Sequence, residues 1–569
     1  MRRTKIVATL GPASIDPEVF GRLVEAGADV ARINLSHGSV DRHRATIRMV
    51  RETEERLGRP IAILLDTAGP EVRIKTRGPG LELQEGQHVR LGPGTDLELS
   101  IANVLEMLDV GDDLVVGDGN IVLRVSDMGA AADMVVRQGG YLSNNKKISC
   151  PNRAWPLPVL TPSDEEALKM GIEEGVDWIA ASFIRSGDDL VVLRRQLEQW
   201  GGSDLALMAK IETRLAIDNL AEIVRLADGL MVARGDLGVE FPPEDVPWLQ
   251  KTIIDAANRS GKPVITATQM LESMVQAERP TRAEITDIAH AVLEGTDAVM
   301  LSEETAVGEH PVEAVRVMAR AAAVSEEHPW DGMARPRYGS KTVTDAVCHA
   351  ALTAAEDLDA RVIVTATETG HTAVAMAAHR PRVPILAVTP HDAVARRLTL
   401  VWGLNTQLMT WHGTLEGMIE ESVAIAAEQG WAATGDRVIV TAGAPVGEAG
   451  STNVLRVMTI GEVFLKGQGM GPEGEVRGEA VVVADPAAVS PASLKGKVLV
   501  APETDGEWVP LMQEARAIVV EAGGLTSHAA VVGVSLGIPT VVGAEGAMRT
   551  CKTGMLLTVD AVSGRILNG

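Results

Sequence analysis

Two short charged segments contain residue types that could bind a metal ion together with a phosphate. Lys210 and Glu212 follow one apolar, strand-like run, and Arg234 and Asp236 follow the next. Charged side chains at the ends of buried strands are costly unless they pair or bind something. Two carboxylates can hold one Mg²⁺ through oxygen ligands, and a nearby lysine can neutralise a phosphate that shares the metal. The pattern suggests phosphoryl transfer, and a buried ion pair that only joins two strands is the alternative.

The elements that must position these residues alternate between short apolar runs and helical patterns. Eight buried parallel strands with helices between them predict a (β/α)₈ barrel, provided that residues 70–157 are an insertion after the third strand. Helix boundary signals are Asp16-Pro17, the capping-box spacing from Ser163 to Glu166, and glycines at 201, 202 and 261. The predicted strands are 5–10, 28–35, 61–67, 178–183, 205–211, 229–235, 263–268 and 298–302.

The remaining sequence predicts three further domains, giving an α/β protein of four parts. The barrel would comprise residues 1–69 and 158–332, and the insertion at 70–157 has the turns and alternating runs of a small β domain. We expect that insertion to act as a mobile cap that excludes water. Residues 333–471 predict an α/β domain with strands at 361–367, 383–389, 436–443 and 452–460. A linker at 467–479 would lead to a compact last domain, 472–569.

Composition limits the possible partners. The chain has 569 residues and a net charge of −24, from 53 basic and 77 acidic side chains. This charge argues against a nucleic-acid partner or an anionic membrane surface. Three cysteines without C-x-x-C spacing indicate neither a disulfide framework nor a zinc site. Because the sequence shows no signal-peptide core and no apolar run of membrane-spanning length, we expect a soluble, cytoplasmic protein.

Polar residues at the carboxyl ends of the predicted strands form a larger set. In barrels of this type these ends carry the active site. Cations, carboxylates and small hydroxyls that converge on one rim are typical of a site for an anionic, metal-bridged substrate. The set consists of Arg32, Asn34, Ser36, Asp66, Thr67, Lys210, Glu212, Arg234, Asp236, Thr268, Ser302 and Glu304, with Arg73 just inside the insertion.

These residues lie in motifs that resemble the pyruvate kinase family over residues 1–470. The most specific segments are MVARGDLGVE (231–240) and ATQMLESM (267–274), supported by TLGPAS (9–14), ARINLSHG (31–38) and LLDTAGPEVR (64–73). The resemblance implies transfer of the phosphoryl group of phosphoenolpyruvate to ADP, which gives pyruvate and ATP in glycolysis. It also implies a homotetramer.

The resemblance assigns roles to individual residues. Glu212 and Asp236 would bind Mg²⁺ or Mn²⁺, and Lys210 would stabilise the transferring phosphoryl group. Arg32 would contact the phosphate, while the backbone of Gly235 and Asp236 together with Thr268 would hold the substrate carboxylate. A water relay that protonates the enolate would include Thr268 and Ser302.

Nucleotide and monovalent-cation sites are also implied by the resemblance. ADP would contact Asn34, Ser36, His37, Arg73 and Lys146, whereas K⁺ would be held by Asn34, Ser36, Asp66 and Thr67. Relatives that work without K⁺ have Leu and Lys at positions 67 and 71. Since these positions are Thr67 and Glu71 here, we predict K⁺ dependence. Departures from the commonest pattern are Ala68, Lys147 and Glu303, of which Lys147 bears on the assignment of Lys146.

Two C-terminal features leave alternatives open. The loop at 365–372 precedes a helix, which suits a phosphorylated effector, although its hydroxyls could simply cap that helix. The segment GGLTSHAA (523–530) resembles the phosphohistidine domain of phosphoenolpyruvate-utilising enzymes, with His528 in the phosphate-carrying position. A structural or regulatory module is the favoured interpretation. The enzyme alternative is synthase- or dikinase-like phosphotransfer through His528, and the non-enzymatic alternative is a catalytically silent sensor.

Overall fold

The computed structural model describes residues 2–117, 119–151, 153, 155, 157–328, 342–411, 413–433, 436–444, 452–460, 463–472 and 475–568. The chain divides into two compact units. The first comprises Met1–Lys341, Ala377–Arg380 and Asp392–Thr406, and the second comprises Thr342–Met376, Pro381–His391 and Gln407–Gly569. The predicted boundary between residues 332 and 333 lies outside the described residues, and the division into four domains stays a prediction.

A closed barrel of eight parallel strands forms the centre of the first unit. Each strand pairs with its neighbour in sequence, and the last pairs with the first. The strands are almost entirely buried, which explains why they read as continuous apolar runs. The predicted α/β barrel is therefore confirmed. Its strands are Lys5–Thr9 (β1), Val30–Asn34 (β2), Ala62–Asp66 (β3), Trp178–Ala181 (β4), Ala206–Ile211 (β5), Gly229–Ala233 (β6), Val264–Ala267 (β7) and Ala298–Leu301 (β8).

Helices follow the barrel strands and cover their outer face. Asp16 caps the first helix as predicted, because its Oδ1 accepts from the backbone N–H groups of Glu18 and Val19 at 3.0 and 3.1 Å. The helices of this unit are Pro17–Ala26, Val40–Leu57, Pro162–Glu173, Gly187–Gln199, Arg214–Asp218, Leu220–Leu226, Arg234–Glu240, Val246–Arg259, Arg282–Glu294, Glu303–Ala306, Pro311–Glu327 and Asp392–Leu398, with 3₁₀ turns at Ala102–Met107 and Glu272–Val275.

The capping box predicted at Ser163 is wrong by two residues. The helix begins at Pro162, whose fixed φ suits the first helical position, so the cap is Thr161. Thr161 Oγ1 accepts from the Asp164 N–H at 3.1 Å, and Asp164 Oδ2 accepts from the Thr161 N–H at 3.0 Å. Ser163 lies inside the first turn.

The insertion between β3 and β4 is β-rich, as predicted. Seven of its described strands close into a small barrel around an apolar core, and the other two form an antiparallel pair. Its strands are Val72–Thr76, Gly80–Leu83, His88–Leu91, Leu97–Leu99, Asp113–Val116, Ile121–Met128, Ala132–Gln138, Gly140–Ser143 and Lys146–Ser149. We call residues 70–157 the inserted domain.

The second unit contains two sheets. All four strands predicted for the first of them are present, as Val362–Ala366, Ile385–Thr389, Arg437–Gly443 and Thr452–Thr459. The sequence did not indicate the strand Leu404–Leu408. The helices here are Val343–Asp357, His371–Ala378, Leu415–Glu428, Val509–Glu514, His528–Leu536 and Ala547–Thr550, with 3₁₀ turns at Pro486–Ala488, Pro491–Leu494 and Gly506–Trp508.

The second sheet contradicts the predicted linker at 467–479. Gln468–Met470 and Glu475–Val482 are strands of this sheet, whereas residues 473 and 474 lie outside the described part of the chain. A Cβ at Gly469 would lie 2.2 Å from the Ala561 carbonyl oxygen, so the glycine allows close backbone approach rather than flexibility. The strand order is Val463–Lys466, Arg565–Asn568, Leu556–Asp560, Glu475–Val482, Val498–Ala501, Ala517–Val520, Thr540–Val542 and Gln468–Met470.

Candidate active site

Lys210 lies at the centre of a buried charge cluster at the carboxyl end of β5. Its Nζ is 3.0 Å from Asp66 Oδ1 and 2.9 Å from Glu212 Oε1, and it donates to Ser182 Oγ at 2.7 Å. Burial disfavours the ammonium, but the charges of Asp66 and Glu212 outweigh burial and raise the pKa of Lys210 above its ordinary value. The lysine is therefore cationic at any physiological pH.

Arg32, on β2, forms the second cationic edge of the cluster. Its Nε lies 2.7 Å from Asp66 Oδ2, and its Nη1 donates to Thr9 Oγ1 at 2.9 Å. The parallel register of β2 with β3 brings these side chains to the same end of the barrel. Burial opposes ionisation of Asp66, yet Lys210 and Arg32 hold its pKa below the usual range. Asp66 is thus a fixed anion between two cations.

Glu212 is the least satisfied member of the cluster. Its Oε2 accepts from the Phe183 backbone N–H at 2.6 Å. Its Oε1 is buried and, in the part of the chain that the structure describes, accepts no hydrogen bond of good geometry, although Lys210 Nζ is 2.9 Å away. Burial, only partly offset by Lys210, raises the pKa of Glu212 to about 7. Such an oxygen suits a metal cation.

Asp236 lies in the first turn of the helix Arg234–Glu240 and pairs with Lys147 of the inserted domain. Lys147 Nζ also lies 4.3 Å from the centroid of the Phe183 ring. Burial opposes ionisation of Asp236, but the charges of Lys147 and Lys210 lower its pKa. One of the two predicted metal ligands, Asp236, is therefore engaged in an ion pair with a lysine of the inserted domain.

Thr268 adopts a strained backbone beside this helix. Its φ is 69°, a conformation that β-branched residues rarely adopt and that clusters at functional sites. Thr268 Oγ1 accepts from the Gly235 N–H at 2.9 Å, and Arg234 Nη2 donates to the Thr268 carbonyl at 2.5 Å. Phe183, next to Glu212, has a φ of 56°. Residues with a positive φ thus lie beside each carboxylate: Phe183 next to Glu212, and Thr268 next to the turn that carries Asp236.

The donor chemistry fits a divalent cation that shares its coordination sphere with a substrate. Groups of three or more His, Cys, Asp or Glu placed for metal binding are absent from the described residues. Two carboxylates completed by substrate oxygens and water are nevertheless a usual arrangement for Mg²⁺. The unsatisfied Glu212 Oε1 and the adjacent Asp236 supply that pair.

The residues predicted for K⁺ lie around Asp66, at the ends of β2 and β3. Asn34 Oδ1 accepts from the Ser36 N–H at 3.1 Å, which fixes the start of the loop after β2. Thr67 Oγ1 accepts from the Ser182 N–H at 3.0 Å, and Ser182 Oγ lies 2.6 Å from the Thr67 carbonyl. Ser36 and His37 are exposed on the same loop.

The other predicted residues do not join the charge cluster. Arg73 pairs with Glu71 and donates to the Asn145 carbonyl at 3.1 Å, so it lies within the inserted domain. Lys146 is exposed on the strand Lys146–Ser149. Ser302 donates its N–H to Glu304 Oε2 at 2.6 Å, at the end of β8.

Sequence reasoning missed three residues of the site. Ser182 follows β4 directly, so the rule that selected the other strand ends could have included it. Lys147 was noted only as a departure from the family pattern, and its contact with Asp236 depends on how the inserted domain folds back. Phe183 gave no signal in the sequence, because nothing about a phenylalanine indicates that its backbone will adopt a positive φ.

In the two C-terminal features, the loop 365–372 and the segment around His528, polar side chains already contact other residues of the protein. In the loop 365–372, Thr367 Oγ1 accepts from the Gly370 N–H at 3.0 Å, and the Thr372 hydroxyl contacts that of Thr452. His528 begins the helix His528–Leu536, and its Nδ1 lies 3.1 Å from Thr504 Oγ1. Two of the hydroxyls expected to bind an effector, those of Thr367 and Thr372, are thus already engaged by the protein, whereas Thr365 Oγ1 is buried without a partner among the described residues.

A (β/α)₈ barrel with a buried lysine, two carboxylates of a kind that suits a metal ion and a β-rich insertion is typical of a phosphotransferase class of enzyme. Family models agree: the pyruvate kinase barrel domain matches residues 1–315, the pyruvate kinase alpha/beta domain matches 345–458, and the mobile domain of PEP-utilising enzymes matches 494–564. The chain belongs to the pyruvate kinase family.

Individual relatives support this assignment over the full length. The chain is 43% identical to the pyruvate kinase of Bacillus licheniformis and 43% identical to that of Geobacillus stearothermophilus, with 100% of this chain and 99% of each relative aligned. A crystal structure of a pyruvate kinase from Cryptosporidium parvum superposes with a TM-score of 0.76 at 33% identity, covering 80% of this chain and 96% of that one.

Membership of this family implies phosphoenolpyruvate and ADP as substrates and a divalent metal as cofactor. Among the described residues, no helix is both long and apolar enough to cross a membrane.

Proposed function

We propose that this chain transfers the phosphoryl group of phosphoenolpyruvate to ADP at the rim of the barrel, using Mg²⁺ and K⁺. The observation that carries the proposal is the arrangement around Lys210, where Asp66 fixes a cation beside the unsatisfied oxygen of Glu212. A fixed cation next to a metal-binding carboxylate is the environment that phosphoryl transfer requires.

Glu212 and Asp236 would hold Mg²⁺, which when bound neutralises charge on the phosphoryl oxygens. Glu212 is buried, the side chain of Asp236 is 32% exposed, and charged groups lie beside both, so the pair is preorganised for a cation. Asp236 must exchange its contact with Lys147 for the metal.

Lys210 and Arg32 would bind the phosphoryl group as it moves. Both are anchored by Asp66, at 3.0 and 2.7 Å, which fixes their head groups before substrate arrives. Preorganised charge of this kind lowers the barrier because no reorganisation is needed during the reaction.

The substrate carboxylate would lie against the Gly235 and Asp236 N–H groups and the Thr268 hydroxyl. The Gly235 N–H now donates to Thr268 Oγ1 at 2.9 Å, so a carboxylate could replace one acceptor with another without rebuilding the turn. Thr268 and Ser302 would belong to the water relay that protonates the enolate.

K⁺ would be held by Asn34, Ser36, Asp66 and Thr67, and ADP by Asn34, Ser36, His37, Arg73 and Lys146. The K⁺ proposal is supported by the position of Asp66 and Thr67 beside the Lys210 cluster. The nucleotide proposal requires the inserted domain to contribute Arg73 and Lys146. An effector at the loop 365–372 remains a prediction from the helix that follows the loop, a cytoplasmic location from the sequence, and a homotetramer from the family resemblance.

A coupled assay of phosphoenolpyruvate and ADP, with and without K⁺, tests the proposal. We expect turnover to require K⁺, and the double variant Thr67→Leu, Glu71→Lys to need less of it. Full activity of the unchanged chain without K⁺ would contradict the cation assignment. Turnover of phosphoenolpyruvate that requires AMP in place of ADP would instead favour dikinase-like chemistry through His528, in the segment that matches PEP-utilising enzymes.

A further inference from the structure

Two charged strand-end residues, Arg234 and Glu304, make none of the substrate or metal contacts proposed above. Arg234 follows β6 and Glu304 lies in the helix Glu303–Ala306 after β8, so they flank the end of β7, which Thr268 follows. Both are largely removed from water, since the Arg234 side chain is 12% exposed and Glu304 is 2% exposed. Buried charged groups are costly, so the contacts that they make call for an explanation.

The chain that follows β7 has an unusual backbone conformation. Thr268 and Gln269 have φ of 69° and 55°, so two successive non-glycine residues are in the left-handed region. Residues with a Cβ rarely enter this region, and then singly, because the Cβ comes too close to the following carbonyl oxygen. Such a conformation persists only where the surrounding contacts impose it. The contacts around this segment are therefore part of how the site is built.

Arg234 supplies such contacts on one side of the segment. Its Nε lies 3.1 Å from both the Ala267 and the Thr268 carbonyl oxygens, and its Nη2 donates to the Thr268 carbonyl at 2.5 Å. Its Nη1 donates to Asp287 Oδ1 at 2.7 Å, which fixes the other edge of the guanidinium. The planar fork of an arginine can hold several acceptors at once, whereas the ammonium of a lysine is a point charge. Arg234 therefore fixes two successive carbonyls beside the Thr268 hydroxyl.

Glu304 holds the same segment from the other side. Its Oε1 accepts from the Leu271 N–H at 3.0 Å, and its Oε2 accepts from the Ser302 N–H at 2.6 Å. One carboxylate thereby joins the segment after β7 to the end of β8. Since Thr268 and Ser302 are the two proposed members of the proton relay, Glu304 sets the spacing between the segments that carry them.

We propose that Arg234 and Glu304 are positioning residues that hold the Thr268 hydroxyl where the substrate carboxylate and the proton relay need it. Thr268 Oγ1 accepts from the Gly235 N–H at 2.9 Å and donates to the Ala267 carbonyl at 2.6 Å, so the backbone around it decides where the hydroxyl points. This role rests on the one proposed for Thr268, because neither charged residue acts on the substrate directly.

Steady-state kinetics of phosphoenolpyruvate and ADP turnover, measured on variants of the full chain, test this role. Arg234→Lys keeps the charge but loses the fork, and kcat should fall about a hundredfold, the effect of a displacement of about 1 Å at the site. Glu304→Gln turns one acceptor oxygen into a donor and should lower kcat about tenfold, the order expected for one hydrogen bond to a charged group. The KM for ADP should stay unchanged in both, because the proposed ADP contacts lie on other elements.

A double-mutant cycle separates a positioning role from a structural one. Thr268→Ala removes the hydroxyl, after which its orientation no longer matters. Arg234→Lys in that background should therefore lower kcat by less than about threefold, far from the loss that it causes alone. A general loosening of the barrel would instead multiply with the loss caused by Thr268→Ala.

Two matched controls change the same chemistry at the amino end of the barrel. Arg51 pairs with an aspartate and donates to the Ile61 and Gly175 carbonyls at 2.8 and 2.7 Å, so Arg51→Lys removes the same kind of fork. Glu326→Gln is the control for Glu304→Gln, because Glu326 also accepts from two backbone N–H groups, at 2.8 and 2.6 Å. Both controls should lower the midpoint of urea unfolding and leave kcat unchanged.

A second variant replaces Arg234→Lys if that protein does not fold. Asp287→Asn keeps Arg234 but weakens the charge that fixes the guanidinium, and Asp287 is itself 30% exposed. It should lower kcat in the same direction, and the loss should again be much smaller in the Thr268→Ala background.

Three results would overturn the proposal. Equal loss of kcat for Arg234→Lys with and without the Thr268 hydroxyl would show that Arg234 does not act through it. An unchanged kcat in Arg234→Lys or Glu304→Gln, beside a lowered one in Thr268→Ala, would overturn the positioning role of that residue and leave the proposed function intact. An unchanged kcat in Thr268→Ala would overturn the positioning role together with the role of Thr268 in the proposed function.

Discussion

At the scale of single residues, Lys210 shows how the site keeps a cation in a buried position. Asp66, Glu212 and Ser182 surround its Nζ within 3.0 Å, so the ammonium exchanges water for fixed oxygens. Removing one partner of a buried charge cluster is usually more harmful than exchanging the whole cluster, because the remaining charges lose their compensation.

The first residue-scale prediction concerns Lys210→Met. Methionine keeps much of the length but removes the charge that would stabilise the transferring phosphoryl group, so kcat should fall by about 10²–10³ or more. Asp66 would keep only Arg32 as a cationic partner, and the free energy of unfolding should drop by about 3–5 kcal/mol. Steady-state kinetics and urea unfolding measure the two effects. Lys251→Met, at an exposed helical position, is the control and should change neither.

The second residue-scale prediction is a pH dependence of metal binding. The pKa of Glu212 is raised to about 7, so its carboxylate is the minority form below that pH and metal binding must release a proton. Mn²⁺ affinity of the substrate-free protein should therefore fall about tenfold from pH 8 to pH 6, as the single-site fraction of carboxylate predicts.

Electron paramagnetic resonance of free Mn²⁺ measures this affinity. Glu212→Gln should bind weakly at every pH with a flat profile, whereas Glu303→Gln, at an exposed position after β8, should retain the slope. A profile of the unchanged chain that is flat between pH 6 and pH 8 would contradict the assignment of Glu212.

At the scale of elements, only one of two neighbouring lysines of the inserted domain pairs with the barrel residue Asp236. Lys147 pairs with Asp236, whereas Lys146 on the same strand is exposed. Side chains alternate between the two faces of a strand, so adjacent lysines must point to opposite sides. In the substrate-free protein Lys147 would therefore compete with a metal for Asp236 if Asp236 is a metal ligand as proposed.

Lys147→Met should consequently raise the Mn²⁺ affinity of the substrate-free protein, by about three- to tenfold, since a partly exposed ion pair contributes about 1 kcal/mol. Lys146→Met is the matched control and should leave the affinity unchanged. The same resonance titration, without substrate, provides the measurement. If both variants bind Mn²⁺ like the unchanged chain, the Lys147–Asp236 pair does not compete with the metal.

The barrel could be predicted from sequence because each strand is buried on both faces and therefore reads as one apolar run. Ala62–Asp66 and Gly229–Ala233 are entirely buried, and the predicted runs covered them with one or two extra residues. The strand Glu475–Val482 was missed, because its alternating charged residues and glycine have the composition of a linker. Its strand identity comes from pairing with Leu556–Asp560, about eighty residues away along the chain.

The candidate site was predictable only as far as strand ends could be located. Lys210, Glu212 and Asp66 lie together because parallel strands end at one rim. The Lys147–Asp236 contact joins residues 89 positions apart through the inserted domain, and no local pattern marks it. The φ of 69° at Thr268 is likewise imposed by tertiary contacts, against the preference of threonine.

At the scale of the whole molecule, the second sheet of the second unit pairs strands from near residue 465 with strands from the last thirty residues of the chain. Val463–Lys466 pairs with Arg565–Asn568, and Gln468–Met470 pairs with Thr540–Val542. The sheet therefore includes segments that precede residue 472, where composition had placed the start of the last domain. His528 lies in this sheet's helix layer, so its role can be tested separately from that of the barrel.

His528→Ala should leave the turnover of phosphoenolpyruvate and ADP unchanged, because the barrel and the inserted domain hold every residue assigned to that reaction. Its ring contacts Thr504 at 3.1 Å and is not part of the charge cluster. Steady-state kinetics measure turnover, and incubation with labelled phosphoenolpyruvate tests for acid-labile phosphohistidine. Label that appears in the unchanged chain and disappears in His528→Ala would favour the phosphotransfer alternative.

Two truncations distinguish the structural boundary of the last sheet from the boundary that composition suggests. A chain ending at residue 471 keeps Val463–Lys466 and Gln468–Met470 but removes their partners Arg565–Asn568 and Thr540–Val542. Unpaired strands expose backbone donors and acceptors and promote association between chains. A chain ending at residue 460 removes those strands as well, so we expect it to stay soluble while the 471-residue chain aggregates. Light scattering on heating compares them, and equal scattering from both would show that these strands do not depend on the sheet for their partners.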